Sequence, residues 1–211
     1  PKVFGGILGR LQNEKDVEEM KQYEIPAFDL VIVDLYPFEE TVKKTDDPAQ
    51  IIEKIDIGGI SLIRAGAKNF NEVVIVPDSK YYLEFMELYK NQNGCTSIED
   101  RKRFAKYAFA TSSHYDGMIY DWFAKDDDAS DLNIHIDNRS ELRYGENPHQ
   151  KAVFYGKLDD VFEKLHGKDL SYNNLLDLEA GLNLIREFDE PTFAILKHNN
   201  PCGIASRTTI A

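Results

Sequence analysis

Short apolar runs that alternate with helical patterns constrain the fold of this chain more than any other feature. Residues 28–35 (FDLVIVDL) and 73–76 (VVIV) have the length of buried strands, and Pro77 stops the second run. A helix is predicted from Glu14, because Asn13 can cap it and acidic residues fill its first turn. Strands that alternate with helices are typical of an α/β domain with a parallel sheet.

Three more helices are predicted from periodicity, the first also from the residues at its start. The first covers residues 48–55 and has proline at its first position, after two aspartates. The other two cover residues 81–92 and 98–125, and the last is long enough to bend at a serine pair (residues 112–113) or at Gly117.

A polar, acidic break at residues 126–131 is the candidate domain boundary. Aspartate runs can bind calcium, but this one lacks the glycine and the terminal glutamate of an EF-hand loop, which favours a solvated linker. Beyond the break, residues 152–155 and 192–196 are predicted strands, and a helix is predicted over roughly residues 175–188. The predicted domains are residues 1–128 and 129–211.

The composition restricts the classes of partner. The formal net charge is −12, and because nucleic acids and anionic membranes attract basic proteins, neither is an expected partner. The apolar runs are too short to span a bilayer, and the first residues lack the pattern of a signal peptide. Cys95 and Cys202 are too few for a disulfide framework, so a cytoplasmic location is expected.

A motif at a strand end carries the strongest chemical signal. Residues 197–203 (KHNNPCG) follow the apolar run 193–196 and place an ammonium, an imidazole and an amide side by side. At the carboxyl end of a strand in an open α/β sheet, His198 can act as a base and Lys197 can stabilise charge on a substrate oxygen. An exposed turn of ordinary loop chemistry explains the same residues. His198 and Cys202 as a nucleophile–base pair or as metal ligands are further alternatives.

Three other segments hold more functional groups than a scaffold requires. Residues 56–59 (DIGG) open a helical pattern, where backbone N–H groups can meet an anion; a simple helix–helix turn is the alternative. Lys68, at the far end of that helix, can also merely complement the helix dipole. Residues 35–38 (LYPF) form either an aromatic corner or a shelf for a flat ligand. Residues 142–150 (LRYGENPHQ) place a cation, an acid, amides and rings in one loop, which favours a site.

These motifs, in this order, resemble those of the bifunctional purine biosynthesis family that joins phosphoribosylaminoimidazolecarboxamide (AICAR) formyltransferase to IMP cyclohydrolase. They are residues 34–38 (DLYPF), 55–59 (IDIGG), 64–69 (RAGAKN), 142–150 (LRYGENPHQ), 170–177 (LSYNNLLD) and 197–203 (KHNNPCG). The resemblance covers essentially the whole chain.

The resemblance implies an α/β fold in two parts. Residues 1–128 are expected to be the C-terminal part of a methylglyoxal-synthase-like (Rossmann-type) cyclohydrolase domain. Residues 129–211 are expected to be a linker and the beginning of a cytidine-deaminase-like transformylase domain. The chain is therefore expected to be an internal fragment, without the phosphate-binding segments at the start of the first domain and without most of the second domain.

The first implied reaction is formyl transfer from 10-formyltetrahydrofolate to AICAR. His198 matches the base of the family, and Lys197 matches the residue that stabilises the tetrahedral intermediate or the leaving group. Arg143, Tyr144 and Asn174 match positions that hold the AICAR nucleotide. The folate is a co-substrate whose site is expected mostly outside this chain, and no metal is implied.

The second implied reaction closes formyl-AICAR to IMP with loss of water. Lys68 matches the proton donor and acceptor of the family. The matching nucleotide contacts are Asp34, Leu35, Tyr36, Asp56, Ile57 and Gly58. Other members can carry asparagine where this chain has Asp34, a difference that a backbone contact would survive.

The expected partners are the small nucleotides AICAR, formyl-AICAR and IMP, and the family forms homodimers with transformylase sites at the subunit interface. The isolated chain is expected to be inactive, because both sites are incomplete. Two hypotheses from other classes are a module that serves only as a scaffold and a thiol enzyme that uses Cys202.

Overall fold

The computed structural model describes residues 1–127, 131–132, 134, 136 and 138–209, and the chain forms two compact units, Pro1–His135 and Ile136–Ala211. Residues 128–130 of the predicted acidic break lie outside the described residues. The elements of the first unit are α1 (Lys2–Leu8), α2 (Glu14–Gln22), β1 (Leu30–Ile32), α3 (Phe38–Lys44), α4 (Pro48–Ile52), α5 (Gly58–Lys68), β2 (Val74–Val76), α6 (Tyr82–Asn91) and α7 (Ile98–Ala124).

The two predicted strands of the first unit form a parallel pair, as expected. β1 pairs with β2 in the register Leu30↔Val74 to Ile32↔Val76. All three residues of β2 are buried, but the expectation of a buried strand is wrong for β1, where Leu30 is 37% and Ile32 50% exposed. Val31 points to the opposite face of β1, because side chains alternate along a strand, and packs on the core.

Capping hydrogen bonds confirm two of the predicted helix starts. Asn13 Oδ1 accepts from the Asp16 N–H at 3.1 Å at the start of α2. Asp47 Oδ1 accepts from the Ala49 N–H at 3.0 Å at the start of α4, which ends at Ile52, earlier than predicted. These bonds satisfy N–H groups that have no partner within the helix.

The long predicted helix α7 is also confirmed, and it continues without interruption through the serine pair and Gly117. It begins with a capping box, in which Ser97 and Asp100 each accept from the backbone N–H of the other. α6 matches the prediction over residues 81–92 and follows a short 3₁₀ helix, Ser79–Tyr81.

The helices α1 and α3 were not predicted from the sequence. α3 begins at Phe38, so the LYPF segment leads into a helix, and the Phe38 ring is buried edge-on against Tyr115 and Trp122. Two lysines of its last turn pair with Glu39 and Glu40 four residues earlier, a spacing that stabilises a helix. Phe38 is therefore part of the core, whereas Tyr36 is 57% exposed.

The core of the first unit forms where α5, α6 and α7 pack on β2. Ile75, in the middle of β2, is buried with Ile63 of α5 and Ala108 of α7. The neighbouring valines of β2 pack with Phe85 of α6 and Phe104 of α7. Because side chains alternate across a strand, these two clusters cover opposite faces of β2.

Two residues of the RAGAKN motif have structural roles. α5 approaches β2 closely at Gly66, where an added Cβ would lie 3.0 Å from the Cβ of Ile75. Asn69, buried at the end of α5, donates its side-chain amide to the carbonyls of Ile7 at 2.8 Å and Gly9 at 3.0 Å. It thereby satisfies carbonyl groups at the C-terminal end of α1.

Among the residues that the structure describes, the second unit contains one α-helix, one short 3₁₀ helix (Leu158–Asp160) and two antiparallel strand pairs. Its elements are β3 (Arg139–Leu142), β4 (Ala152–Tyr155), α8 (Tyr172–Ile185), β5 (Thr192–Lys197) and β6 (Asn200–Ser206). β3 pairs with β4 and β5 pairs with β6. The predicted β4, α8 and β5 are confirmed, whereas β3 and β6 were missed.

No helix in the described part of the chain has both the length and the apolarity needed to cross a membrane.

Replacing Phe104 with alanine should lower the free energy of unfolding by about 3–5 kcal/mol, because its ring is 0% exposed and packs edge-on against Phe85 and Tyr107. Phe109→Ala on the same helix is the matched control, since its ring is 44% exposed, and should cost about 1 kcal/mol. Urea unfolding followed by circular dichroism measures both. Equal losses would contradict the placement of Phe104 in the core.

Candidate functional sites

Asp56 joins three segments of the first unit. Its carboxylate accepts from the Gly59 N–H at 2.6 Å in the first turn of α5, and from the Tyr36 N–H at 3.4 Å in the loop after β1. Its own N–H donates to the hydroxyl of Tyr115 on α7 at 2.8 Å. Hydrogen bonds thus hold both the backbone and the side chain of Asp56, the first residue of the predicted Asp56–Gly58 turn.

The Asp56–Gly58 turn is open on its outer side. Ile57 is 73% exposed, and an added Cβ at Gly58 would meet no atom within 4 Å. Gly59 is different, since a Cβ there would lie 2.7 Å from an Asp56 oxygen. The first turn of a helix has N–H groups without helical partners, so this open turn can accept an anionic or carboxamide group.

The loop after β1 borders a cavity of about 310 Å³ at the carboxyl ends of the two parallel strands. The cavity is lined by residues 34–40, residues 77–79 and side chains of α7. Tyr36 lies at its rim, with the Lys54 ammonium 5.5 Å from the ring centroid. Asp34 accepts a hydrogen bond from the Tyr82 hydroxyl, which raises the pKa of Tyr82. Ligands of open α/β sheets bind at such strand ends.

His114 and Glu39 line the same cavity and were missed in the sequence. His114 Nε2 lies 3.3 Å from Glu39 Oε2. The pKa of Glu39 is lowered by the hydrogen bond from Lys43, and further by that from His114. His114 lies in the middle of α7 without a neighbouring motif, so only the tertiary structure brings it to the site.

Lys68 is at the opposite end of α5 from the Asp56–Gly58 turn. At 1.5 Å per residue, the helix Gly58–Lys68 separates the two by about 15 Å. Lys68 lines a different cavity of about 980 Å³ together with Arg10 and Arg101. The structure of this chain therefore does not bring Lys68 together with Asp56.

The two arginines of this second cavity already have partners. Arg10 makes a bidentate ion pair with Asp16, at 2.7 and 2.9 Å. Arg101 donates to the carbonyls of Phe70 at 2.9 Å and Thr96 at 2.7 Å. Lys68 is exposed and pairs with no acidic side chain among the described residues, so its ammonium is available to a ligand.

In the second unit, Arg143 and Tyr144 are held together. The Arg143 guanidinium lies 4.7 Å from the centroid of the Tyr144 ring and donates to its hydroxyl at 3.1 Å. The Arg143 N–H donates to the carbonyl of Leu170, and the Tyr172 N–H donates to the carbonyl of Tyr144. The pKa of the Tyr144 hydroxyl is lowered by a hydrogen bond with Ser171 and by Arg143. The predicted loop is thus fixed to the segment that begins α8.

Asn174 takes part in the cap of α8. Its side-chain oxygen accepts from the Ser171 N–H at 3.0 Å and from the Ser171 hydroxyl at 2.9 Å. One turn later, Asp177 accepts from the Asn199 N–H at 2.8 Å, which connects α8 to the KHNNPCG turn. Asp177 was not predicted as a site residue; it lies three residues after Asn174 in α8 and therefore on the same face.

Lys197 and His198 are at the tip of a hairpin. Lys197 pairs with Asn200, and the two residues between them, His198 and Asn199, have positive φ angles of 53° and 64°. Two-residue hairpins favour such angles because they match the twist of the strands. The predicted strand end is confirmed, because β5 ends at Lys197, and among the described residues β5 pairs with β6 in antiparallel orientation. Both side chains of the motif are exposed.

Cys202 gives no support to the thiol or metal alternatives. It is exposed, and its Sγ lies 3.9 Å from the carbonyl oxygen of Asn200. In the part of the chain that the structure describes, no group of three or more histidine, cysteine, aspartate or glutamate side chains is arranged to hold a metal ion.

Apart from Lys68, the predicted residues come together in two groups. Asp34, Leu35, Tyr36 and the Asp56–Gly58 turn form one group at the carboxyl ends of the parallel strands, where small polar ligands bind in α/β proteins. The other group lies in the second unit and consists of Arg143, Tyr144, Asn174, Lys197 and His198. The model of the AICARFT/IMPCHase bienzyme family matches residues 66–211. The chain belongs to this family.

Sequence similarity to individual proteins supports this membership. The chain is 54% identical over 210 residues to the bifunctional purine biosynthesis protein PurH of Bacteroides thetaiotaomicron, covering 100% of this chain and 41% of the relative. It is 45% identical over 214 residues to PurH of Microcystis aeruginosa, covering 97% of this chain and 42% of the relative. The chain therefore spans about two fifths of the length of the relatives that it matches.

A solved structure titled "Crystal structure of ForH" overlaps 58% of this chain and 63% of its own, with a TM-score of 0.49 and 34% sequence identity.

Proposed function

We propose that this chain is part of an enzyme for the last two steps of IMP synthesis. These are formyl transfer from 10-formyltetrahydrofolate to AICAR, and ring closure of formyl-AICAR to IMP. The observation that carries the proposal is the division of the family's motifs between the two units. One set surrounds the Asp56–Gly58 turn of the first unit, and the other surrounds α8 of the second.

The first unit is proposed to serve ring closure. The carboxamide nitrogen of formyl-AICAR attacks the formyl carbon of the same molecule, and water leaves. Because the reaction is intramolecular, holding the substrate in the reactive geometry lowers much of the barrier. The Asp56–Gly58 turn can donate backbone N–H groups to the nucleotide. Asp34 and Leu35, in the loop after β1, can contact it as well, and the exposed ring of Tyr36 can pack on the flat base.

Lys68 is proposed as the proton donor and acceptor of ring closure. Its exposed ammonium pairs with no acidic side chain among the described residues, which suits transfer of a proton to a ligand. Its distance of about 15 Å from the Asp56–Gly58 turn means that the proposal rests on its place in the family motif.

The second unit is proposed to serve formyl transfer. The amine of AICAR forms a bond to the formyl carbon, the bond from that carbon to the folate nitrogen breaks, and tetrahydrofolate leaves. The amine is a weak nucleophile because its lone pair is delocalised, so a base that takes its proton during attack accelerates the step. His198 is proposed as this base, and Lys197 stabilises the charge on the formyl oxygen. Arg143, Tyr144 and Asn174 are proposed to hold the nucleotide.

Several finer assignments belong to the same proposal. The first unit is proposed as part of a methylglyoxal-synthase-like cyclohydrolase domain and the second as the beginning of a cytidine-deaminase-like transformylase domain, with the predicted boundary between residues 128 and 129. The folate site is placed mostly outside this chain, and no metal takes part. A homodimer in the cytoplasm is proposed for the full-length protein, by which we mean a polypeptide of the relatives' length that contains this chain.

In the full-length protein, His198→Gly should lower formyl transfer by about a hundredfold or more, as expected for loss of a general base. Glycine is chosen because it adopts the positive φ of 53° without strain. Asn199→Gly, at the other turn position with a φ of 64°, is the matched control and should retain activity. Ring closure should change less than about twofold in both variants. Equal loss of the two activities, or normal formyl transfer, would show that His198 is not the base.

Lys68→Ala in the full-length protein should cause formyl-AICAR to accumulate while AICAR is still consumed, because only the proton transfer of ring closure is lost. A chromatographic time course measures all three nucleotides. Lys90→Ala is the matched control, since Lys90 also lies in the last turn of a helix, and it should leave the time course unchanged. Normal IMP formation in Lys68→Ala would reduce Lys68 to a charge at the end of α5.

A further inference from the structure

Tyr115 makes two hydrogen bonds to the segment that carries the proposed ring-closure site. Its hydroxyl accepts from the Asp56 N–H at 2.8 Å and donates to the carbonyl of Lys54 at 2.6 Å. The tyrosine is on α7, about sixty residues away in sequence, and is only 8% exposed. The two turn groups are partly buried, so the hydroxyl replaces hydrogen bonds that water cannot fully supply.

The position of the Tyr115 ring is fixed independently of these bonds. The ring is buried in a cluster with Phe38 of α3 and Ile51 of α4, and it meets the Phe38 ring edge-on at 6.1 Å between centroids. Phenylalanine would fill the same space, so the packing does not require a hydroxyl group. The hydroxyl therefore serves the turn, to which it makes both of its hydrogen bonds.

The hydrogen bonds of Asp56 connect Tyr115 to the segments of the proposed nucleotide site. Asp56 is held by Tyr115 at its N–H, and its carboxylate holds the N–H groups of Gly59 and Tyr36. A shift of the Asp56 backbone would therefore move both the first turn of α5 and the loop after β1. The first of these segments continues the open Asp56–Gly58 turn, and the second lines the neighbouring cavity.

We infer that Tyr115 is a positioning residue for ring closure: its hydroxyl sets the place of the Asp56–Gly58 turn and thereby the backbone N–H groups offered to the nucleotide. The inference rests on the proposed function. It assigns no chemical step to Tyr115, whose hydroxyl is bonded to the turn and whose side chain borders the neighbouring cavity.

Tyr115→Phe in the full-length protein should raise the KM for formyl-AICAR about tenfold and change kcat less than about twofold, since contacts from a backbone turn bind substrate and transition state alike. The dissociation constant of IMP should rise by a similar factor. Tyr107→Phe is the matched control: it is on the same helix, and its hydroxyl lies 3.4 Å from Glu84. It should leave both constants unchanged, and formyl transfer should stay normal in both variants.

The outcomes separate positioning from a merely structural role. An unchanged KM with a lower kcat would overturn the inference, because loss of folded enzyme lowers the rate without changing KM. An unchanged KM and kcat would overturn it as well. The comparison holds even where Tyr115→Phe folds incompletely, since KM does not depend on the amount of active enzyme.

Asp56→Ala distinguishes a failure of this inference from a failure of the proposed function. Weakened binding of IMP in Asp56→Ala, with normal binding in Tyr115→Phe, would keep the turn as the nucleotide site and remove Tyr115 from it. Normal IMP binding in Asp56→Ala would show that the Asp56–Gly58 turn is not the nucleotide site at all.

Discussion

The hydrogen bonds of Asp56 are the interaction on which the first unit's site depends. α5 has no capping side chain of its own, because its N-cap residue is Ile57. The Asp56 carboxylate caps the helix instead, by accepting a hydrogen bond from the Gly59 N–H. The same carboxylate accepts from the N–H of Tyr36, in the loop after β1. α5 in turn packs closely on β2 at Gly66, where an added Cβ would lie 3.0 Å from the Cβ of Ile75. One carboxylate thus connects the start of a core helix to the loop at the carboxyl end of the sheet.

Local signals made much of this fold predictable. α2, α4 and α7 begin at side-chain caps that are visible in the sequence, and β2 is an apolar run stopped by proline. β6 was missed because Pro201 and Gly203 argue against a strand, although proline is tolerated where its missing N–H faces an unpaired edge. β3 is only four residues long and depends on β4 for its hydrogen bonds. Such pairing is a long-range property that no local pattern reveals.

The candidate sites show the same division between local and tertiary information. The sequence motifs predicted the residues of the Asp56–Gly58 turn and of the hairpin tip. The hairpin itself and the positive φ angles of His198 and Asn199 are visible only in the structure. Tyr115 and His114 reach the first site from the middle of α7, a helix whose sequence looks like ordinary core. The motif view also grouped Lys68 with Asp56, whereas the length of α5 separates them by about 15 Å.

The central claim is that the chain contributes to two consecutive reactions on one nucleotide, each served by a different unit. The most direct test is a chromatographic time course of the full-length protein with AICAR and 10-formyltetrahydrofolate, run beside a reaction with formyl-AICAR alone. The account predicts that AICAR passes through formyl-AICAR to IMP, and that formyl-AICAR alone gives IMP without folate. Absence of both conversions, or a requirement for folate in the second, would contradict it.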